Sequence, residues 1–351
     1  MRITAQLIVL LAIPLWSALA QPIDESALQD GELEDVPTTL LPLLKPDPAE
    51  VGDKLFQWKP RWGPTQLDPN SCWIVMLRAL LEMSLQDTSA PAKDEVKQYI
   101  YDDFPKVVVT LQIMRDLGRV PLTYPYAAAQ IAMQRMSQDS KFQYLTAYLI
   151  QKKIPVVMIM VHPGPPSEGE DRTLTSLRVR EDVIKRDSQD DTALALASPY
   201  PGFALASVSK VPTPPEPIRN WISFEGEELG RENLFGAVMA AFTQLAGRNA
   251  AWELDPDIRS DASPFKSFLF ITPWKKPITM QPPMFLNWHA AYASLDIAEK
   301  AVEQNKFTEA KVLVEAAWMW GSDLKKVGKI FVTKKMLPPG PSLEASPIGT
   351  S

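Results

Sequence analysis

A single cysteine, Cys72, stands in 351 residues, behind an N-terminus built like an export signal. Arg2 supplies a positive start, residues 7–16 (LIVLLAIPLW) an apolar centre, and Ala18-Leu19-Ala20 a small-residue cleavage site. The pattern predicts removal of residues 1–20, with Gln21 as the new first residue. The apolar stretch is too short to span a bilayer, and no later stretch is long enough. The expectation is a secreted, extracellular chain with no membrane contact once the signal is gone. Small exported domains commonly rely on disulfides, which one cysteine cannot supply within the chain. With only two histidines besides, most zinc sites are excluded as well. A chain so limited must hold itself together by burying apolar side chains. Its length suffices for one large domain or two small ones.

Charge narrows the partners. Lys and Arg number 36 against 42 Asp and Glu, a net charge of −6. With no long basic run, nucleic acid and anionic membrane surfaces are poor expectations. Neither a G-x-x-x-x-G-K-[ST] loop nor a G-x-G-x-x-G turn is present, so no phosphate cradle is signalled. H-E-x-x-H, G-x-S-x-G and an EF-hand loop are missing too. The sequence therefore names no metal and no cofactor.

Composition divides the chain. Residues 21–50 hold six acidic residues before Val36, then Pro37, Pro42, Pro46 and Pro48, and read as a disordered acidic, proline-rich leader. An N-terminal lobe over 51–162 follows, then a proline-rich excursion or linker over 163–217 containing the dibasic pair Lys185-Arg186. A C-terminal lobe covers 218–335, and a Pro, Gly and Ser-rich tail covers 336–351. Asp68 and Pro69 are suited to cap and open a helix. Periodicity predicts helices over 69–86, 127–150, 232–246 and 286–326, with strands near 107–110, 155–161, 268–271 and 329–333. In the last helical region Phe285, Trp288, Tyr292, Leu295, Ala298 and Val302 form one stripe. Phe307, Ala310, Leu313, Ala317 and Trp320 form another, across a turn at Gln304-Asn305-Lys306. The reading is α+β: a helix-rich body with a small sheet and a C-terminal antiparallel helical hairpin.

One segment has a chemical logic. In Gln66-Leu67-Asp68-Pro69-Asn70-Ser71-Cys72-Trp73 a cysteine sits in the first turn of an apolar helix, where the helix N-terminus favours a thiolate. A glutamine on the incoming loop can aim an amide N–H at a developing oxyanion. The segment resembles the nucleophile region of papain-like cysteine peptidases, and its continuation to Leu80 looks most like the calpain branch. The resemblance implies a divergent papain-like fold with Cys72 as nucleophile and Trp73 packing beside it. Gln66 and the Cys72 N–H would form the oxyanion hole, and His289 would be the base. Protein or peptide would be the substrate. Asn70 stands where the family has a small residue, and Thr272 where it has its orienting Asn. His162 falls on the wrong side of the chain order. The implied activity is peptide hydrolysis, or a degenerate form of it. The alternative is a non-catalytic secreted interaction protein, with an oligomeric state the sequence does not give.

Overall fold

The computed structural model describes residues 29–30, 32–35, 56–114, 120–164, 207–209, 213–254, 257–262, 265–274, 284–318 and 321–335. The export signal, most of the acidic leader, most of the 163–217 excursion with Lys185-Arg186, and the tail over 336–351 lie outside the described residues.

Two short strands, β1 (Gln29–Asp30) and β2 (Glu34–Asp35), come first. There follow β3 (Phe56–Gln66), α1 (Pro69–Ser84), β4 (Val96–Tyr99), β5 (Val107–Ile113), α2 (Thr123–Gln138), β6 (Gln143–Gln151) and β7 (Ile154–Pro163). After β8 (Ser207–Ser209) come β9 (Ile218–Glu228), α3 (Arg231–Leu245), β10 (Ile258–Asp261), β11 (Phe268–Pro273), α4 (Asn287–Gln304), β12 (Thr308–Trp318) and β13 (Gly321–Thr333). The expectation of a helix-rich body is therefore corrected. The described residues form an eight-stranded and a five-stranded sheet with only four helices.

The two stretches repeat one plan. Across the first sheet the main strands run β3-β6-β7-β5-β4, and across the second β9-β12-β13-β11-β10. Each is strand, helix, two strands, helix, two strands, and every pairing within these five-strand sets is antiparallel. Position by position the orders coincide, so the body is a tandem of two topologically equivalent units. In the first, β8 adds to the β4 edge in parallel, and β1 and β2 pair with β3.

Each sheet lays one face on its own helix pair, and the helix pairs meet in the middle. One continuous apolar cluster runs through both units. Helix α1 packs on α2, α3 and α4, which is why it is buried nearly all round, Arg78 included, and not only along one stripe. Equivalent residues meet at the junction: Trp73 and Phe235, each the fifth residue of its helix, pack with ring centroids 5.4 Å apart. Such pairing of like with like is the mark of a two-fold relation.

Two predicted helices end early. The 127–150 segment is helical only to Gln138; Ser140 turns with φ 49°, and Gln143–Gln151 becomes a central strand between β3 and β7. Its Ala, Leu and Tyr residues suit either state, and pairing on both edges decides for the strand. The 286–326 hairpin is half helix. Asn305, at φ 50°, ends α4 in the left-handed conformation, and β12 and β13 follow as a β-hairpin. Ala310, Val312, Val314 and Ala316 alternate inward with period two. The spacing of Phe307, Ala310, Leu313 and Ala317 imitated a helical stripe.

Candidate functional site

Asp68 caps α1 as anticipated, its carboxylate accepting from the Ser71 N–H (2.7 Å) and the Ser71 hydroxyl (2.6 Å). That carboxylate already occupies the positive end of the helix, where a thiolate would have to compete with it. Cys72 has no exposed surface. Burial pushes its thiol well above the usual range; Asp68 adds to the shift and Arg231 only partly opposes it. Gln66, by contrast, is exposed at the end of β3, and Asn70 accepts from Arg231 Nη1 at 3.2 Å.

His289 lies in the first turn of α4, not on a strand. Its Nδ1 accepts from the Leu286 N–H at 2.9 Å, its ring stacks parallel to Phe285, and Trp288 lies 3.9 Å away, centroid to centroid. Its Nε2 has no surface open to solvent. Burial pulls its pKa down to about 4, against a smaller upward pull from the Met284 backbone. Phe285 reaches this place because Gly328 lets it: a Cβ there would stand 2.4 Å from the Phe285 ring. His162 ends β7 on the outward face of the first sheet, its Nε2 3.3 Å from the Thr110 hydroxyl.

The tandem supplies an internal control. Cys72 is the fourth residue of α1 and its N–H bonds to the Asp68 carbonyl; Leu234 is the fourth of α3 and its N–H bonds to the Gly230 carbonyl. His289 is the third residue of α4, where α2 has Pro125. The same backbone positions are thus filled by leucine and proline in the other unit, so the fold itself requires neither a thiol nor an imidazole there.

The outward face of the second sheet is of another kind. Along β12, Lys311, Leu313 and Glu315 point away from the helices, opposite the inward Val312 and Val314. Register sets Phe331 of β13 beside Lys311, Lys329 beside Leu313, and Trp221 of β9 on the other side of Leu313. Lys329 Nζ lies 4.4 Å from the Trp274 ring centroid, Lys326 Nζ 5.7 Å from it, Lys311 Nζ 5.9 Å from Phe331, and the Arg219 guanidinium 5.7 Å from Trp221. Burial lowers the pKa of Lys329, and the neighbouring Lys311 and Lys326 lower it further. Among the described residues none of these three lysines has an ion-pair partner. Glu315 stands opposite Lys326 in register and accepts from Trp221 Nε1 at 3.0 Å, while the acids Glu227 and Glu309 are engaged elsewhere, by Lys334, Lys335, Thr333 and backbone N–H groups. Trp221 is 54% exposed. Reading 286–326 as two helices hid this face; the alternation Lys311-x-Leu313-x-Glu315 was the signal for it.

No family model and no curated protein matches the chain. A solved structure, the tandem DUF26 ectodomain of the Arabidopsis thaliana cysteine-rich receptor-like protein PDLP8, aligns over 78% of this chain and 94% of that one, at 9% identity and a TM-score of 0.20. A likeness that low carries no weight for fold or function. The two antiparallel sheets, and the base candidate on a helix, depart from what the papain-like resemblance implied. The resemblance is therefore set aside. Among the described residues no group of metal-ligating side chains occurs, and no helix is long and apolar enough to cross a membrane.

Proposed function

We propose that this is an exported, non-catalytic binding protein whose working surface is the outward face of the second sheet, and whose partner is anionic. The observation that carries the reading is the trio Lys311, Lys326 and Lys329, gathered on one face with aromatic rings and outnumbering the Glu315 carboxylate that stands opposite Lys326, in a chain of net charge −6. Mutual repulsion of like charges costs stability, and an anionic partner relieves it. The α1 thiol and the α4 imidazole belong to the interior in this reading. The export-type leader puts the binding event outside the cell.

Cation-exchange chromatography tests the anion preference. At pH 7 the protein, with pI near 5.2, should nevertheless be retained on a sulfonate resin at salt on the order of 10 mM, where screening is weak. It should elute as salt rises. A K311E/K326E/K329E variant should flow through. Passage of the wild-type protein unretained would contradict the reading.

A further inference from the structure

From this same face, and resting on the anionic-partner reading above, we infer that the ligand is a linear acidic polysaccharide: a chain of pyranose rings each bearing a carboxylate. Trp221, on β9, and Trp274, just past β11, flank the face with β12 and β13 between them. Three interstrand steps separate the two rings, roughly 14 Å at ~4.8 Å per step. Lys311, Lys326 and Lys329 belong to the intervening strands. A small anion meets one end of such a platform only; an extended polymer crossing the strands meets all of it.

The pairing of groups selects the polymer. Each tryptophan carries a cation over or beside its ring: Lys329 and Lys326 at Trp274, Arg219 at Trp221. A uronate unit carries the matching pair, an apolar C–H face to lie on an indole and a carboxylate for the ammonium next to it. A single-stranded nucleic acid separates its stacking base from its phosphate, whereas a uronate ring holds both groups on one unit. A lipid surface calls for apolar side chains that enter the bilayer boundary, yet the apolar Leu313 and Phe270 of this face are themselves buried.

Titration calorimetry with the full chain decides the matter, using de-esterified polygalacturonate oligomers, their methyl esters, polyglutamate, a single-stranded oligodeoxynucleotide and phosphatidylserine vesicles. The expected result is binding of polygalacturonate that weakens as salt rises, none of the methyl ester, and polyglutamate at least about tenfold weaker. K329Q and K326Q should each weaken polygalacturonate about tenfold, and Trp221→Ala, made in a Glu315→Gln background because Trp221 Nε1 bonds that carboxylate, about as much, with far-UV circular dichroism unchanged. Equal affinity for polyglutamate, or no effect of Trp221→Ala, would overturn the polysaccharide while leaving a general anion-binding face. Tighter binding of the oligonucleotide or the vesicles would do the same. If no polyanion binds, both the polysaccharide and the anionic-partner reading fall.

Discussion

Replacing Arg78 with methionine is expected to lower the free energy of unfolding by about 3 kcal/mol, the low end of the range for removing one partner of a buried ion pair, because Asp103 is half exposed and Glu299 alone is left largely buried. Arg78 is 4% exposed in the middle of α1. Its two terminal nitrogens donate to both oxygens of Asp103 at 2.7 Å, and its Nε donates to Glu299 Oε1, on α4, at 2.8 Å. The guanidinium also lies 4.8 Å from the Tyr101 ring centroid and 5.3 Å from that of Phe104. Burial raises the pKa of Glu299 and Arg78 opposes that rise. Without the arginine, the carboxyl is left in an apolar setting with its cation gone. The bond from Arg78 to Glu299 joins the first unit to the second, so the loss should appear in one cooperative transition. Urea denaturation of wild type, Arg78→Met and the double variant Arg78→Met/Glu299→Gln checks this. The double variant should recover a large part of the loss, because the stranded charge is gone. A single-variant loss below about 1 kcal/mol, the size of a surface pair, would mean that the bridge is not a buried one.

His289 should make stability depend on pH in a defined window. Its pKa is about 4 in the folded protein against an ordinary 6.5. Between those values the unfolded chain binds a proton that the folded chain refuses. Stability contributed by keeping the ring neutral is thus fully present above pH 6.5 and is lost as pH falls to 4, by roughly 3 kcal/mol at 1.36 kcal/mol per pKa unit. The buried carboxyls Asp296 and Glu299, whose pKa values are raised, titrate with the opposite sign. The measurement is therefore a difference. Unfolding free energies of wild type and His289→Gln, compared from pH 7 to pH 4, should diverge by that amount, the wild type losing more. Parallel curves would show that the ring meets solvent in the folded state.

Local signals in the sequence carried well where one element decides its own fate. The Asp68-Pro69 cap, the apolar run that became β7, and the 232–246 helix all appear close to the expected bounds. Signals failed where long-range pairing decides. Gln143–Gln151 and 308–318 have residues that suit either state, and partners distant in sequence make them strands. That same distance concealed the tandem: the two units share a strand order, which is a property of pairing and not of periodicity. The peptidase-like segment was legible only as a string of residue types. Sequence spacing cannot show that Gln66 stays at the surface while Cys72, six positions on, goes fully into the core. The lysine and tryptophan face required knowing which side of β12 and β13 turns outward.

In the function proposed above, the reactive-looking side chains of the interior are packing and the working surface is an outer sheet face. Alkylation of Cys72 tests it most directly, because a thiol must be both exposed and ionised to react. Iodoacetamide at neutral pH, followed by intact-mass measurement, should leave the native protein unmodified over a period in which the guanidinium-unfolded chain is labelled completely. Stoichiometric labelling of the native protein at neutral or mildly acidic pH would contradict the account, since it would require an open, low-pKa thiolate at the start of α1.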